Sequence, residues 1–238
     1  MSEISYPKND ARLVRIRTGG VALDGDLVVP AGARGIVIFA HGSGSSRQSP
    51  RNRRVARQLQ DAGFATLLFD LLTLDEERRD AITAELRFNI ALLAERLARA
   101  TDWVASQPEL SELPVGYFGA STGGAAALVA AALRPQSVHA VVSRGGRPDL
   151  AGPYLPRVKA PTLLVVGGYD ALVITMNRSA LTQLQLGAKQ LVIVPGAGHL
   201  FEEPGTLDRV AELARAWFER YLGAGARAAV GGPGRGHV

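Results

Sequence analysis

Ser121 is the residue of this chain best placed to do covalent chemistry, because it lies in the pentapeptide Gly119-Ala120-Ser121-Thr122-Gly123. An apolar run with Val115, Tyr117 and Phe118 comes before it, and an alanine-rich run, Ala125 to Leu133, comes after, closed by Arg134-Pro135. The first reads as a short buried strand and the second as a helix. A serine on so tight a strand-to-helix turn is held in a strained backbone conformation, its hydroxyl above the sheet edge and a helix N-terminus beneath it. The glycines remove Cβ atoms that would clash where strand and helix approach. Attack on a carbonyl carbon is the chemistry such a serine performs.

A hydroxyl is a weak nucleophile and needs a base, and the base needs an acid to orient it. The histidines are His41, His139, His199 and His237. His237 lies in a glycine-rich tail, and His139 sits in the apolar run Val138 to Val142, where a structural role is expected. His199 follows the strand-like run Leu191 to Val194 through Pro195-Gly196-Ala197-Gly198, and a helix opens after it at Glu202-Glu203-Pro204-Gly205. Asp170 follows a second strand and turn, Thr162 to Tyr169. Alone, Asp170 would pass for a turn former and His199 for an exposed loop residue. In the order Ser121, Asp170, His199, each at the C-terminal end of an expected strand, they read as nucleophile, acid and base. His41 opens the loop His41-Gly42-Ser43-Gly44-Ser45-Ser46 after the strand at 36–40. That loop suits an oxyanion hole, with backbone N–H groups from Ser43 and from Thr122. The alternative, a phosphate-cradling nest, lacks the Lys-Ser/Thr ending of a Walker loop.

With these pieces placed, the chain resembles the α/β-hydrolase superfamily, and within it the lid-poor, dienelactone-hydrolase-like serine esterases. The resemblance covers about residues 11–222 and is carried by HGSGSS at 41–46, GFATLLFDLLT at 63–73, GYFGASTGG at 116–124, LLVVGGYD at 163–170 and GAGHLFEEPG at 196–205. It implies a mostly parallel twisted sheet with helices on both faces, Ser121 as nucleophile, Asp170 as orienting acid, His199 as base, and the Ser43 and Thr122 amides facing the oxyanion. It implies hydrolysis of carboxylic esters through an acyl-enzyme, with no cofactor and no metal. Dienelactone hydrolases proper use a cysteine, and this chain has none. Relatives acting on epoxides and haloalkanes look to an aspartate where Ser121 stands. Lactone, thioester and peptide hydrolysis remain open, as does a hydrolase-fold protein that only binds.

Length and composition suit one α/β domain over residues 1–222, followed by a flexible Gly- and Ala-rich tail at 223–238. No stretch approaches a spanning helix, and the N-terminal MSEISYPKND is too polar for a secretory signal, so a cytoplasmic location and no membrane partner are expected. The net charge of +5 comes almost wholly from arginine. Arg47, Arg51, Arg53, Arg54 and Arg57 cluster after the oxyanion loop. They read as a solvated helix face, against a nucleic-acid patch or a fork for an anionic substrate. With no nucleic-acid motif present, the expected partner is a small ester, to a monomer or homodimer.

The elements that must hold these residues alternate. A hairpin at 12–17 and 21–29 leads to strands at 36–40, 65–70, 114–118, 138–142, 162–167 and 190–194, with helices at about 51–62, 84–106, 123–133, 175–186 and 206–222. The stripes Leu86, Ile90, Leu93, Leu97, Val104 and Val210, Leu213, Trp217, Tyr221 mark buried helix faces. The interval at 143–160 is too short for a helical cap, which leaves Ser121 open to solvent. Leu71 and Leu72 offer an apolar wall over the serine or else belong to a plain surface loop running through Asp75 to Asp80. Arg144 binds a substrate carboxylate or pairs with a structural acid, and Tyr169 is a further candidate contact.

Overall fold

The computed structural model describes residues 11–223. Eight strands form one sheet: β1 (Arg12–Thr18), β2 (Val21–Val28), β3 (Ile36–Ala40), β4 (Ala65–Phe69), β5 (Val115–Ala120), β6 (Val138–Arg144), β7 (Thr162–Gly167) and β8 (Lys189–Val194), in the spatial order β1-β2-β4-β3-β5-β6-β7-β8. β1 pairs antiparallel with β2, and β2 antiparallel with β4; the rest run parallel. The burial pattern follows. β1 alternates, turning Leu13 to solvent and Val14 and Ile16 inward, as an edge strand with one covered face must. β3, β4, β5 and β7 are buried at every position, because helices cover both of their faces.

The helices are α1 (Pro50–Asp61), α2 (Leu74–Thr83), α3 (Ile90–Ser106), α4 (Thr122–Leu133), α5 (Ala171–Gln183) and α6 (Thr206–Leu222). One core joins α3 and α4 to the sheet; the other, built on Phe39, Phe64, Phe118 and Phe218, joins α1 and α6 to the opposite face. α4 is buried from Thr122 to Ala132, and its small side chains let it sit close between the sheet and α3. The mostly parallel sheet with helices on both faces is the α/β-hydrolase fold expected from the sequence.

Three elements differ from expectation. Residues 74–83, read as a loop, form α2, while the helix expected from 84 begins only at Ile90. A capping box explains it: the Thr73 hydroxyl accepts the Glu76 N–H (3.3 Å) and the Glu76 carboxylate accepts the Thr73 N–H (2.8 Å). The pattern Thr-x-x-Glu, with Asp75, Glu76 and Glu77 in the first turn, was present in the sequence. Leu86 therefore precedes α3 and packs on the core only in part. α5 starts at Ala171 rather than 175, directly after Asp170, and ends at Gln183. The interval after β6 holds a kinked 3₁₀ segment, Pro148–Arg157, which packs on α4 and α5 rather than over Ser121. No described helix is long and apolar enough to cross a membrane.

Candidate active site

Ser121 stands between β5 and α4 with φ 52° and ψ −120°, the left-handed strain of the turn made by a non-glycine residue. The turn closes this tightly because Gly119 and Gly123 lack side chains. A Cβ on Gly123 would lie 2.1 Å from the Ala40 carbonyl oxygen, and one on Gly119 would lie 2.4 Å from the Gly123 oxygen. The backbone is pinned to the β6 end: the Ser121 N–H donates to the Arg144 carbonyl (3.2 Å) and the Arg147 N–H to the Ser121 carbonyl (3.1 Å).

His199 and Asp170 meet although 29 residues separate them, with His199 Nδ1 2.6 Å from Asp170 Oδ2. An ionised carboxylate only accepts, so Nδ1 carries the proton and Nε2 presents its lone pair. Gly145, at φ +51°, gives His199 its place: a Cβ there would stand 3.1 Å from the His199 carbonyl oxygen and 3.5 Å from its ring. Ser121 and His199 line one open cleft of about 250 Å³, together with Gly42, Ser43, Arg51, Asn52, Arg144 and Leu200. They share this cleft without a direct hydrogen bond, a spacing common where catalytic contacts tighten only around substrate.

The expected oxyanion donors lie side by side. The Ser43 N–H donates to Thr122 Oγ1 (3.0 Å), which ties the loop after β3 to the start of α4. Thr122 opens its helix, so its own N–H lacks an intrahelical acceptor. His41 steadies the loop from behind. Its Nε2 accepts the Leu71 N–H (2.9 Å), so its Nδ1 donates to the Gly42 carbonyl (3.0 Å). Burial lowers its pKa, which favours the neutral ring these bonds require.

Beyond the loop lies a second cavity of about 320 Å³, walled by Leu71, Leu72 and Leu93 and reached by Ser43 and Thr122. Leu71 and Leu72, expected as an apolar wall over the serine, line this cavity, which Ser121 itself does not line. Glu77, Asp80 and Arg87 line it too, and neither the loop reading of 75–80 nor any motif pointed to them. Arg144 is buried on the cleft and pairs with no acid among the described residues, against the structural ion pair weighed for it. Tyr169 is 76% exposed and lines neither space. His139, though in β6, faces solvent. His237 and the tail beyond residue 223 lie outside the described residues. Of the arginine cluster, Arg47 pairs with Asp70 and Asp26, Arg53 with Asp26, Arg54 with Asp208 and Arg51 with Glu202, so these charges join α1 and the loop before it to their neighbours. Among the described residues no group of His, Cys, Asp and Glu is placed to hold a metal ion.

The model of the dienelactone hydrolase family matches residues 23–222. A crystal structure of dienelactone hydrolase from Anabaena variabilis is similar at 65% identity and a TM-score of 0.87, covering 89% of this chain and 98% of that one. Est1E from Butyrivibrio proteoclasticus shares the fold at 17% identity and a TM-score of 0.73, over 87% of this chain and 98% of its own. Two curated relatives from Mycobacterium tuberculosis strains, which bear the name of a phosphoribosyl transferase, are 59% identical over 209 residues. That match covers 88% of this chain but 46% of theirs, so the chain spans about half their length.

Proposed function

Because this chain belongs to the dienelactone hydrolase family, we propose that it hydrolyses carboxylic esters of small or exposed substrates, with Ser121, His199 and Asp170 as its catalytic triad. The observation that carries the reading is the strained Ser121 turn facing the same cleft as an imidazole whose Nδ1–H is held by a carboxylate. In the first step His199 Nε2 takes the Ser121 hydroxyl proton as Oγ bonds to the ester carbon. The carbonyl oxygen becomes an oxyanion facing the Thr122 and Ser43 N–H groups, displacing Thr122 Oγ1 as the acceptor for Ser43. The carbon–alkoxy bond then breaks, and His199 gives its proton to the leaving alcohol. Water, deprotonated by the same imidazole, releases the acid and restores Ser121. Asp170 stays ionised throughout and stabilises the imidazolium.

The seventeen-percent likeness to Est1E speaks for the fold alone; a serine rather than a cysteine nucleophile follows from the chain having no cysteine. Ser121→Ala is expected to lower p-nitrophenyl acetate turnover by about 10³-fold or more while leaving the circular dichroism spectrum unchanged. Full turnover in that variant would overturn the assignment. Labelling of the wild type, but not the variant, by a fluorophosphonate probe is the companion result expected.

A further inference from the structure

Hydrolysis through an acyl-enzyme ends with water taking the place that the alcohol has left. His199 must give a proton to the departing alkoxide and then take one from water, so both pass through the cleft of about 250 Å³ that His199 and Ser121 line. Water brings two O–H bonds to that place. His199 Nε2 accepts one proton, because Nδ1 is held by Asp170 at 2.6 Å. The second O–H needs an acceptor on the cleft wall.

Several polar groups of the wall cannot serve. Arg51 and Arg144 are guanidiniums, which only donate. The Gly42 carbonyl takes the His41 Nδ1–H (3.0 Å), and the Leu200 carbonyl takes an Arg144 N–H (3.3 Å). The Ser49 hydroxyl accepts the Asn52 N–H at 3.3 Å and so caps α1. Asn52 itself stands apart. It is the third residue of α1, it is 2% exposed, and its Oδ1 has no hydrogen-bond partner. Among the described residues that line this cleft, it is the one whose buried side chain keeps an unpaired acceptor.

An asparagine in the first turn of a helix ordinarily turns its amide back on the nearby backbone. Here Ser49 already serves the cap, and the Arg53 N–H bonds to the Ser49 carbonyl (2.9 Å), so the turn closes without the Asn52 side chain. A buried amide oxygen left without a donor is costly, and an apolar side chain of the same size would remove that cost. An acceptor kept unpaired in the cleft of the nucleophile suits a donor that arrives only with the reaction.

On the ester-hydrolase reading, we propose that Asn52 orients the water of the second step, its Oδ1 accepting a hydrogen bond from the O–H that His199 does not deprotonate. The water oxygen bonds to the acyl carbon as its first proton passes to His199 Nε2. The carbon–Oγ bond then breaks, the His199 proton returns to Ser121 Oγ, and the second water proton leaves on the carboxylic acid. Acylation makes no use of this contact, because the alkoxy oxygen of an ester carries no hydrogen.

The test separates the two steps in Asn52→Leu, a side chain of similar size without an acceptor. Burst release of p-nitrophenol from p-nitrophenyl acetate reads acylation. Decay of the acetyl-enzyme, followed by rapid quench and intact mass spectrometry, reads its hydrolysis. The decay is expected to slow by about tenfold or more, while the burst rate and kcat/KM stay within about twofold of wild type. Methanol supplies the control. Its one hydroxyl proton goes to His199 and leaves none for Asn52, so the ratio of methyl acetate to acetate formed should rise by about tenfold in the variant. That ratio is internal to each preparation, so a partly folded variant does not distort it. Should Asn52→Leu fail to fold, Asn52→Ala is carried through the same measurements. An unchanged acetyl-enzyme lifetime, an unmoved product ratio, or a burst slowed as much as the decay, as a merely structural role would produce, would overturn the inference. Failure of the wild type to form an acetyl-enzyme on Ser121 would instead overturn the ester-hydrolase reading beneath it.

Discussion

At the scale of single residues, the site is governed by what is missing as much as by what is present. Ser121 tolerates its φ of 52° because strand and helix hold it from both sides, and they do so only while Gly123 has no side chain. Gly123→Ala would put a Cβ against two backbone oxygens, those of Ala40 and His41, which move only with the strand. Thermal or urea unfolding should show a loss of about 3 kcal/mol, and ester turnover should fall with the displaced serine. Gly187→Ala is the contrasting case, since its Cβ meets nothing within 4 Å; its stability should stay within about 0.5 kcal/mol of wild type. The serine, aspartate and histidine were legible from type, order and strand context. Glu77 and Asn52 were not, because a lone polar residue on a helix has no local signature of facing a cavity.

At the scale of elements, α2 links the loop after β3 to the body of the protein. Arg96 on α3 donates to both Glu76 carboxylate oxygens (2.6 and 2.7 Å) and to the Leu71 carbonyl (2.6 Å), while the Leu71 N–H reaches His41. The Arg96 hydrogen bonds lead in holding the Glu76 pKa at about 2, against an ordinary 4.5, with the Thr73 backbone bond assisting against the opposing effect of burial. A pKa depressed on folding stabilises the native state above the unfolded value and is lost as pH falls. The contribution is therefore complete above about pH 4.5 and gone near pH 2, and is worth about 3 kcal/mol. Glu76→Gln should lower stability at neutral pH and flatten the acid limb of denaturation curves measured between those pH values. A wild-type acid limb that survives in the variant would remove Glu76 from this role. The capping box was readable in advance; its anchor was not, since Glu76 and Arg96 stand 20 residues apart on different helices.

At the scale of the whole molecule, the sheet separates two cores, and Ser121, Asp170 and His199 gather along the edge formed by the C-terminal ends of its parallel strands. Phe218 on α6 belongs to the core away from α3 and α4, packing near Phe64 and over Gly116, where a Cβ would come within 2.7 Å of its ring. Phe218→Ala should cost about 3–5 kcal/mol in denaturant titration, yet leave KM for p-nitrophenyl acetate unchanged below the transition, because neither cavity touches it. A shifted KM would show that α6 reaches the site. The alternation of apolar runs and helix stripes determined, without any coordinates, that a parallel sheet covered on both faces would form and that Ser121, Asp170 and His199 would sit at strand ends. Those signals are local, resting on periodicity, turn chemistry and chain order. Which side chains the folded edge collects into a cationic cleft, and which into the cavity holding Glu77, depended on contacts between segments tens of residues apart. Only the tertiary structure decided that, because the charge of a cavity is the sum over neighbours that no sequence window contains.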